Sequence, residues 1–298
     1  MEHFLRKVLL LLKYTYGKVF LLTHKLRVSI LSNKGTLIRI KNERLSVVRY
    51  GDGEMMYMGG KALSFQEYNE LLGNRLKETL NCANDKILVC IPEPIQSCKN
   101  INTKSKWRWT YIIAKEYSAY NNLLNENYIY GNAFISRPYI VYKDKSGAGD
   151  VFALLKQLWD KKNILIVEGE FSRSGVGNDL FSNAKSVHRI LCPAKNAFSK
   201  YAEILQAAVE EGGQLEDALI LLAMGPAAKP MVIDLTVRGF WTIDIGHIDS
   251  EYEWFLRGAD TKIKIEGKHT ADTADIEINS CEDEAYLASI LRRIGVDE

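Results

Sequence analysis

Short apolar segments of strand length recur along this sequence and alternate with segments of helical periodicity. The apolar segments cover residues 45–50, 87–91, 164–167, 189–192, 219–223 and 241–245. Strands and helices in alternation predict an α/β fold with a mainly parallel sheet. In such a sheet, ligands bind beyond the carboxyl ends of the strands.

Helix signals lie between these segments. A capping box at residues 64–67 predicts a helix that runs to Leu80, and residues 197–211 predict an amphipathic helix that stops at Gly212. A second capping box begins at Ser250 and predicts a short helix. Polar pairs follow three of the predicted strands, and we expect them at the carboxyl edge of the sheet. These pairs are Asp52 with Glu54, Glu168 with Glu170, and His247 with Asp249.

The first pair ends the stretch 47–54, which reads Val-Val-Arg-Tyr-Gly-Asp-Gly-Glu. If the chain stays extended there, Asp52 and Glu54 share one face, because side chains two residues apart in a strand point the same way. Flanking glycines allow a close approach to a ligand, so the pair could hold Mg²⁺ or Mn²⁺ against a phosphate. The alternative is a plain Gly-Asp-Gly turn after a strand.

A glycine-rich loop at residues 168–180 follows another predicted strand. It carries Arg173, three glycines and two serines, a composition suited to a diphosphate. Its spacing matches neither the Walker lysine loop nor the dinucleotide-binding pattern. The alternative is a long surface loop without a ligand.

Aromatic and imidazole side chains add further candidates. His247, two residues from a carboxylate, could complete a metal shell or contact a phosphate, or could be a hydrogen-bonded structural residue. Trp107 and Trp109 flank an arginine and could form a stacking platform for a sugar or base, or belong to the core.

The composition is that of a soluble globular protein of 298 residues, with 47% hydrophobic and 26% charged residues. Its five cysteines are odd in number and never spaced as Cys-x-x-Cys, which indicates neither a disulfide framework nor a zinc site. This pattern favours a reducing compartment, so we expect a cytoplasmic protein. We also expect no nucleic-acid partner.

The first 45 residues are basic, with ten Lys or Arg against Glu2 and Glu43. Lysines interrupt their apolar runs, so we expect no transmembrane helix, and no cleavage site of a signal peptide follows. Residues 1–41 are interpreted as an amphipathic leader that could contact an anionic membrane at its inner face, or simply pack on the domain at 42–298.

Three ordered motifs, at residues 49–54, 172–181 and 244–254, together resemble the GT-D-type glycosyltransferases of bacterial glycosylation loci, long catalogued as a domain of unknown function. The resemblance covers residues 42–258. It implies a Rossmann-like α/β fold with helices flanking the sheet, a nucleotide-sugar donor such as UDP-glucose, and a divalent metal.

The resemblance assigns the metal to Asp52 and Glu54 and donor binding to the loop arginine and the later imidazole. It also matches the family's later acid to Glu253. The full expected donor-binding set is Gly51, Arg173, Gly175, Gly177, Asn178 and His247. For the catalytic base, which takes the acceptor proton if the reaction inverts, Glu170, Asp249 and Glu253 remain alternatives.

The resulting hypothesis is a metal-dependent transferase of polysaccharide biosynthesis or protein glycosylation. It would move a hexose, expected to be glucose, from a UDP-sugar to a glycan, glycoprotein or lipid-linked acceptor. Two alternatives stay open. A phosphohydrolase would use Asp52, Glu54 and His247 with water as acceptor, and a non-catalytic membrane-associated subunit of a glycan assembly system would only retain the fold.

Overall fold

The computed structural model describes residues 2–269 and 281–296. Within them, nine strands form one sheet in the order β1-β4-β3-β2-β8-β7-β5-β6-β9, and every pairing between these strands is parallel. The strands are β1 (Ser29–Ile30), β2 (Ser46–Arg49), β3 (Ile87–Ile91), β4 (Ile129–Asn132), β5 (Asn163–Gly169), β6 (Ser186–Cys192), β7 (Leu219–Ala223), β8 (Trp241–Asp244) and β9 (Ile290–Arg293). The expected α/β fold with a parallel sheet flanked by helices is confirmed.

Helices connect the strands. They are α1 (Glu2–Thr23), α2 (Asn33–Glu43), α3 (Asp52–Met58), α4 (Glu70–Leu80), α5 (Thr103–Lys115), α6 (Tyr117–Leu123), α7 (Ala148–Lys156), α8 (Tyr201–Gln214), α9 (Ala228–Val237), α10 (Ile248–Leu256) and α11 (Glu284–Ser289). Single 3₁₀ turns occur at Glu93–Ile95, Ala133–Ser136, Ala197–Lys200 and Gly225–Ala227. None of the helices in the described part of the chain has the length and hydropathy to span a bilayer.

The six apolar segments identified in the sequence became β2, β3, β5, β6, β7 and β8. All five residues of β3 are buried, as are most residues of β5 and β7, because helices cover both faces of the sheet. The edge strands β1 and β9 and the short β4 were missed. β1 has two residues, and β9 ends in Arg292 and Arg293, so neither carries a continuous apolar run.

Three helix predictions need correction at their ends. The helix predicted from residue 64 begins at Glu70, because Asn69 caps it and Leu63 bridges to Gln66 before it. Helix α8 begins at Tyr201 and continues through Gly212, where a Cβ atom would lie 3.1 Å from the Phe240 ring. Close packing against that ring favours a glycine inside the helix. The helix predicted from Ser250 begins at Ile248 instead.

The segment before residue 42 has two parts. Helix α1 packs on α5, whereas β1 pairs with β4 inside the sheet and α2 buries Thr36, Leu37 and Ile40. The boundary expected between residues 41 and 42 therefore falls within α2, and only α1 lies outside the sheet and its covering helices.

Candidate active site

A cavity of about 1280 Å³ opens at the carboxyl edge of the sheet, where β2 and β8 lie side by side. The strand order reverses at this point, since β3 and β4 lie beyond β2 and the later strands lie beyond β8. Crevices at such a reversal are the usual ligand sites of parallel sheets. Loops that follow β2, β5, β7 and β8 line it, together with α5 and residues 137–145.

Arg49 and Asp244, at the ends of β2 and β8, join these two strands beneath the cavity. The Arg49 Nε donates to the backbone oxygen of Asp244 at 2.6 Å, and Nη2 donates to its Oδ1 at 2.9 Å. The guanidinium also donates to the Ser136 hydroxyl. Burial alone would raise the pKa of Asp244, but Arg49 and Lys229 outweigh it and hold that pKa below its ordinary value.

Lys229, in the first turn of α9, lies between two carboxylates. Its Nζ is 2.8 Å from Oε1 of Glu54 and 3.2 Å from Oδ2 of Asp244, and the side chain is 6% exposed. Burial acts to lower the pKa of Lys229, but Asp244 and Glu54 raise it above its ordinary value. Sequence reasoning missed this residue, although a lysine in an apolar helix just after the Gly225-Pro226 turn was a usable signal.

Asp52 and Glu54 both line the cavity, but the extended conformation expected for them is wrong. Gly51 caps α3, which begins at Asp52, and residues two apart on a helix point about 200° apart. Glu54 turns inward, where its Oε2 accepts from the Gly51 backbone N–H at 2.8 Å. Asp52 instead pairs with Arg108 of α5, whose side chain is 62% exposed.

The donor chemistry of these carboxylates fits a divalent cation. In the described residues no group of three or more His, Cys, Asp or Glu side chains is placed to hold a metal ion. Mg²⁺ sites, however, often use only one or two carboxylates and complete their shell with substrate phosphates. The Glu54 oxygens each accept one contact, and a carboxylate oxygen has two lone pairs, so both Asp52 and Glu54 retain ligating capacity. The metal requirement stays a prediction.

Residues of the loop after β5 mainly contact other parts of the protein. Arg173 has φ of 46°, is 8% exposed, and donates from Nη1 to the backbone oxygen of Gly267 at 2.8 Å. Gly175 has φ of 79°, and a Cβ atom there would lie 2.5 Å from the Phe181 ring, so this position requires glycine. Gly177 is exposed, with open space around it.

Asp249, Glu253 and Lys268 are buried and form a polar cluster with the half-buried Asn178. The Asn178 amide donates to Asp249 at 2.9 Å and to Glu253 at 2.8 Å, and Lys268 Nζ lies 2.8 Å from Asp249. Burial would raise the pKa of Glu253, but Asn178, Lys268 and Arg257 lower it. These contacts bind the glycine-rich loop to α10. The roles expected for these residues in donor binding and base catalysis stay predictions.

The described lining of the cavity therefore includes Gly51, Asp52, Glu54 and His247 from the expected set. His247 lies at the N-cap of α10. The other expected residues lie outside the lining: Glu170, Arg173, Gly175, Gly177, Asn178, Asp249 and Glu253. Glu170 lies between Gly169 and Phe171, which both line the cavity, and Arg173 directly follows Ser172, which also lines it.

The lining also contains residues that sequence reasoning did not single out, among them Phe65 and Phe171 and the basic groups Lys104, Lys143 and Lys145. Arg108, the arginine between the two tryptophans, lines the cavity too. Trp107 and Trp109 do not form one platform, because α5 turns them to different sides. Trp107 stacks on Tyr14 at 5.5 Å between ring centroids, whereas Trp109 is buried against Phe134 and reaches the cavity.

Solved structures match this fold closely. One is described as the highly conserved domain of unknown function 1792 with a distinct glycosyltransferase fold; it has a TM-score of 0.86 and 41% identity over 95% of this chain and 100% of that one. Another, a new glycosyltransferase from Streptococcus sanguinis, has a TM-score of 0.84 and 41% identity over 89% of this chain and 99% of that one.

Curated relatives are longer proteins. A probable glycosyl transferase, Gly, from Streptococcus gordonii is 41% identical over 90% of this chain and 39% of its own length. Glycosyltransferase GlyD from Streptococcus pneumoniae serotype 4 is 38% identical over 87% of this chain and 32% of its own length. The chain thus spans about one third to two fifths of these relatives. The sequence model of the glycosyltransferase GT-D fold matches residues 47–273, and the chain belongs to this family of glycosyltransferases.

Proposed function

We propose that the chain transfers a hexose, with glucose as the first candidate, from a UDP-sugar to a hydroxyl group of a glycan or glycoconjugate. The main support is that two carboxylates, Asp52 and Glu54, line the same cavity as several basic side chains. This cavity lies where the strand order reverses between β2 and β8. A diphosphate ester needs positive charge around it, and a divalent ion needs carboxylate oxygens.

The size of the cavity supports a nucleotide sugar together with part of an acceptor. Its volume of about 1280 Å³ exceeds the range of roughly 300–1,000 Å³ that is usual for small-molecule pockets. Phe65 and Phe171 supply aromatic faces in the lining, and an aromatic face can stack on a nucleobase.

The side chains have separate tasks in this proposal. Asp52 and Glu54 would hold the divalent ion, which when bound neutralises the negative charge that develops on the departing UDP. Arg108 is exposed at the mouth, where it can exchange Asp52 for phosphate oxygens. Lys229 keeps Glu54 ionised. Burial alone would raise the pKa of Glu54, but the neighbouring positive charge of Lys229 lowers it below its ordinary value.

The acceptor hydroxyl loses a proton as it attacks the sugar. Glu170 is the base that we favour among the three candidates, because it is only half-buried and lies between two residues of the cavity lining. Asp249 and Glu253 are engaged with Lys268 instead.

Thermal melting with a panel of nucleotide sugars, each with and without Mn²⁺, tests the donor. A ligand at about 100 times its Kd stabilises the native state by about 2.7 kcal/mol, so a UDP-hexose with Mn²⁺ is expected to raise Tm. UDP release with and without a glycan acceptor tests the reaction. Release that needs no acceptor would support hydrolysis, and no shift with any nucleotide sugar would support the non-catalytic alternative.

A further inference from the structure

Helix α1 presents an apolar strip to solvent. Leu9, Leu12, Tyr16 and Val19 recur at helical spacing, and their exposed fractions are 52%, 62%, 54% and 61%. Leu22, at 69%, extends the strip by one turn. A contiguous apolar surface of this kind marks a contact with a membrane or with another protein.

The opposite side of α1 is the side that packs on the protein. At Gly17, a Cβ atom would lie 2.6 Å from the Thr110 backbone oxygen of α5, so the two helices are in close contact. Because each residue turns the helix by about 100°, Val19 lies on the side away from Gly17. Leu12, Val19 and Leu22 therefore lie away from the surface that α1 packs on this chain. Tyr16 lies at the edge of that surface, with its ring centroid 6.5 Å from that of Tyr111 in α5.

The charges around the strip are positive. Lys13, Lys18, Lys25 and Arg27 lie along or just after α1, and the sequence has no acidic residue between Glu2 and Glu43. The helix does not meet the length and hydropathy of a membrane span. A helix with an apolar face flanked by basic residues binds in the plane of an anionic bilayer surface.

We propose that α1 binds the surface of an anionic lipid bilayer, with the apolar strip among the acyl chains and the basic residues at the lipid phosphates. Leu10 of α1 and Arg108 of α5 both line the cavity. Leu10 and Val19 are nine residues apart and so lie on opposite sides of α1, which places α1 between the bilayer and this wall of the cavity. Membrane binding by α1 does not depend on the sugar-transfer reaction.

Vesicle co-sedimentation of the full chain tests the proposal. The parent is expected to bind vesicles of phosphatidylcholine with about one third phosphatidylglycerol, and to bind phosphatidylcholine alone much more weakly. Combining Leu12→Asn, Val19→Asn and Leu22→Asn is expected to lower the partition coefficient roughly tenfold or more, because the immersed area is lost. The matched control combines Leu71→Asn, Val237→Asn and Leu256→Asn, which replace equally exposed residues elsewhere and are expected to leave binding unchanged.

Lysine-to-glutamine variants measure how much the basic residues contribute to vesicle binding, apart from the apolar strip. Lys18→Gln with Lys25→Gln is expected to weaken binding, and Lys86→Gln with Lys99→Gln to leave it unchanged, since all four lysines are exposed but only the first two flank the strip. Equal binding of the parent and the apolar variant, or equal binding to both vesicle types, would overturn the proposal. So would an apolar variant that changes only the oligomeric state in sedimentation without vesicles, because the strip would then be a protein interface.

Discussion

Gly246 and Arg49 fit against each other so closely that residue 246 has no room for a side chain. A Cβ atom at this position would lie 2.0 Å from Nη2 of Arg49, and the backbone φ is 46°. The same guanidinium joins β2 to β8 through Asp244. The glycine after β8 therefore allows the charged pair that closes the base of the candidate site.

Gly246→Ala is expected to destabilise the protein strongly. The left-handed conformation costs about 1–2 kcal/mol for a residue with a Cβ atom, and displacement of Arg49 adds about 1–3 kcal/mol, as in overpacked cores. Urea denaturation of this variant and of Gly258→Ala separates the two terms, because Gly258 has φ of 60° with open space around it. Equal losses in both variants would show that Arg49 is not displaced.

Lys229→Met is expected to lower the free energy of unfolding by about 3–5 kcal/mol at neutral pH. Glu54 would lose its buried counter-charge, whereas Asp244 would keep Arg49 as its partner. Adding Glu54→Gln to this variant removes the uncompensated charge and is expected to restore part of the loss. A double variant no more stable than Lys229→Met would contradict this account of the cluster.

The pH dependence of the same cluster has a definite sign. The pKa values of Glu54 and Asp244 are lowered in the folded state. Their contribution to the free energy of unfolding is therefore fully present above the unfolded-state pKa values of about 4. It is lost as the pH falls through the lower, folded-state pKa values. The raised pKa of Lys229 preserves its contribution until the pH rises well into the alkaline range. The stability difference between the parent and Lys229→Met is therefore expected to narrow below about pH 4, as measured by urea denaturation.

Asp52→Asn is expected to weaken Mn²⁺ and UDP binding together by about 10- to 100-fold, if the ion links the protein to the diphosphate. Calorimetry measures both affinities. Asp150→Asn serves as the control, because it also removes an aspartate from an ion pair but lies on the exposed surface beside Lys34. Unchanged Mn²⁺-dependent UDP affinity in Asp52→Asn would exclude this residue as a ligand.

Arg108→Gln tests the competition for Asp52. Loss of the ion pair is expected to strengthen Mn²⁺ binding in the absence of nucleotide and to weaken UDP binding, because the guanidinium would otherwise contact phosphate. Calorimetric titrations with Mn²⁺ alone and with UDP alone distinguish the two effects. A parallel gain or parallel loss of both affinities would be inconsistent with an exchange of partners.

Arg173→Lys distinguishes a donor ligand from a structural residue. Its hydrogen bond to Gly267 and its burial lead us to expect a loss of about 1–3 kcal/mol in stability, with turnover per folded molecule retained. Urea denaturation and kinetics at a saturating UDP-hexose concentration measure the two. A fall in kcat of roughly 10-fold or more without loss of stability would instead support direct contact with the donor phosphates.

Local sequence determined the central strands and the edge of the sheet at which the candidate site lies. β3, β5 and β7 could be identified because buried parallel strands need continuous apolar runs, and this requirement is visible within a few residues. The motifs at residues 49–54 and 244–254 follow such strands, so topology alone places them at neighbouring carboxyl ends.

Only the tertiary structure decided which charges face each other. The contacts of Lys229 with Glu54 and of Arg108 with Asp52 join residues far apart in the chain, and a local pattern carries no information on such distances. The conformation at Asp52 was likewise undecided locally, because a Gly-Asp-Gly segment can extend a strand or begin a helix. The helix forms with the Glu54 carboxylate at the Gly51 N–H and with Lys229 of α9 beside that carboxylate, an arrangement that exists only once the sheet has brought α3 and α9 together.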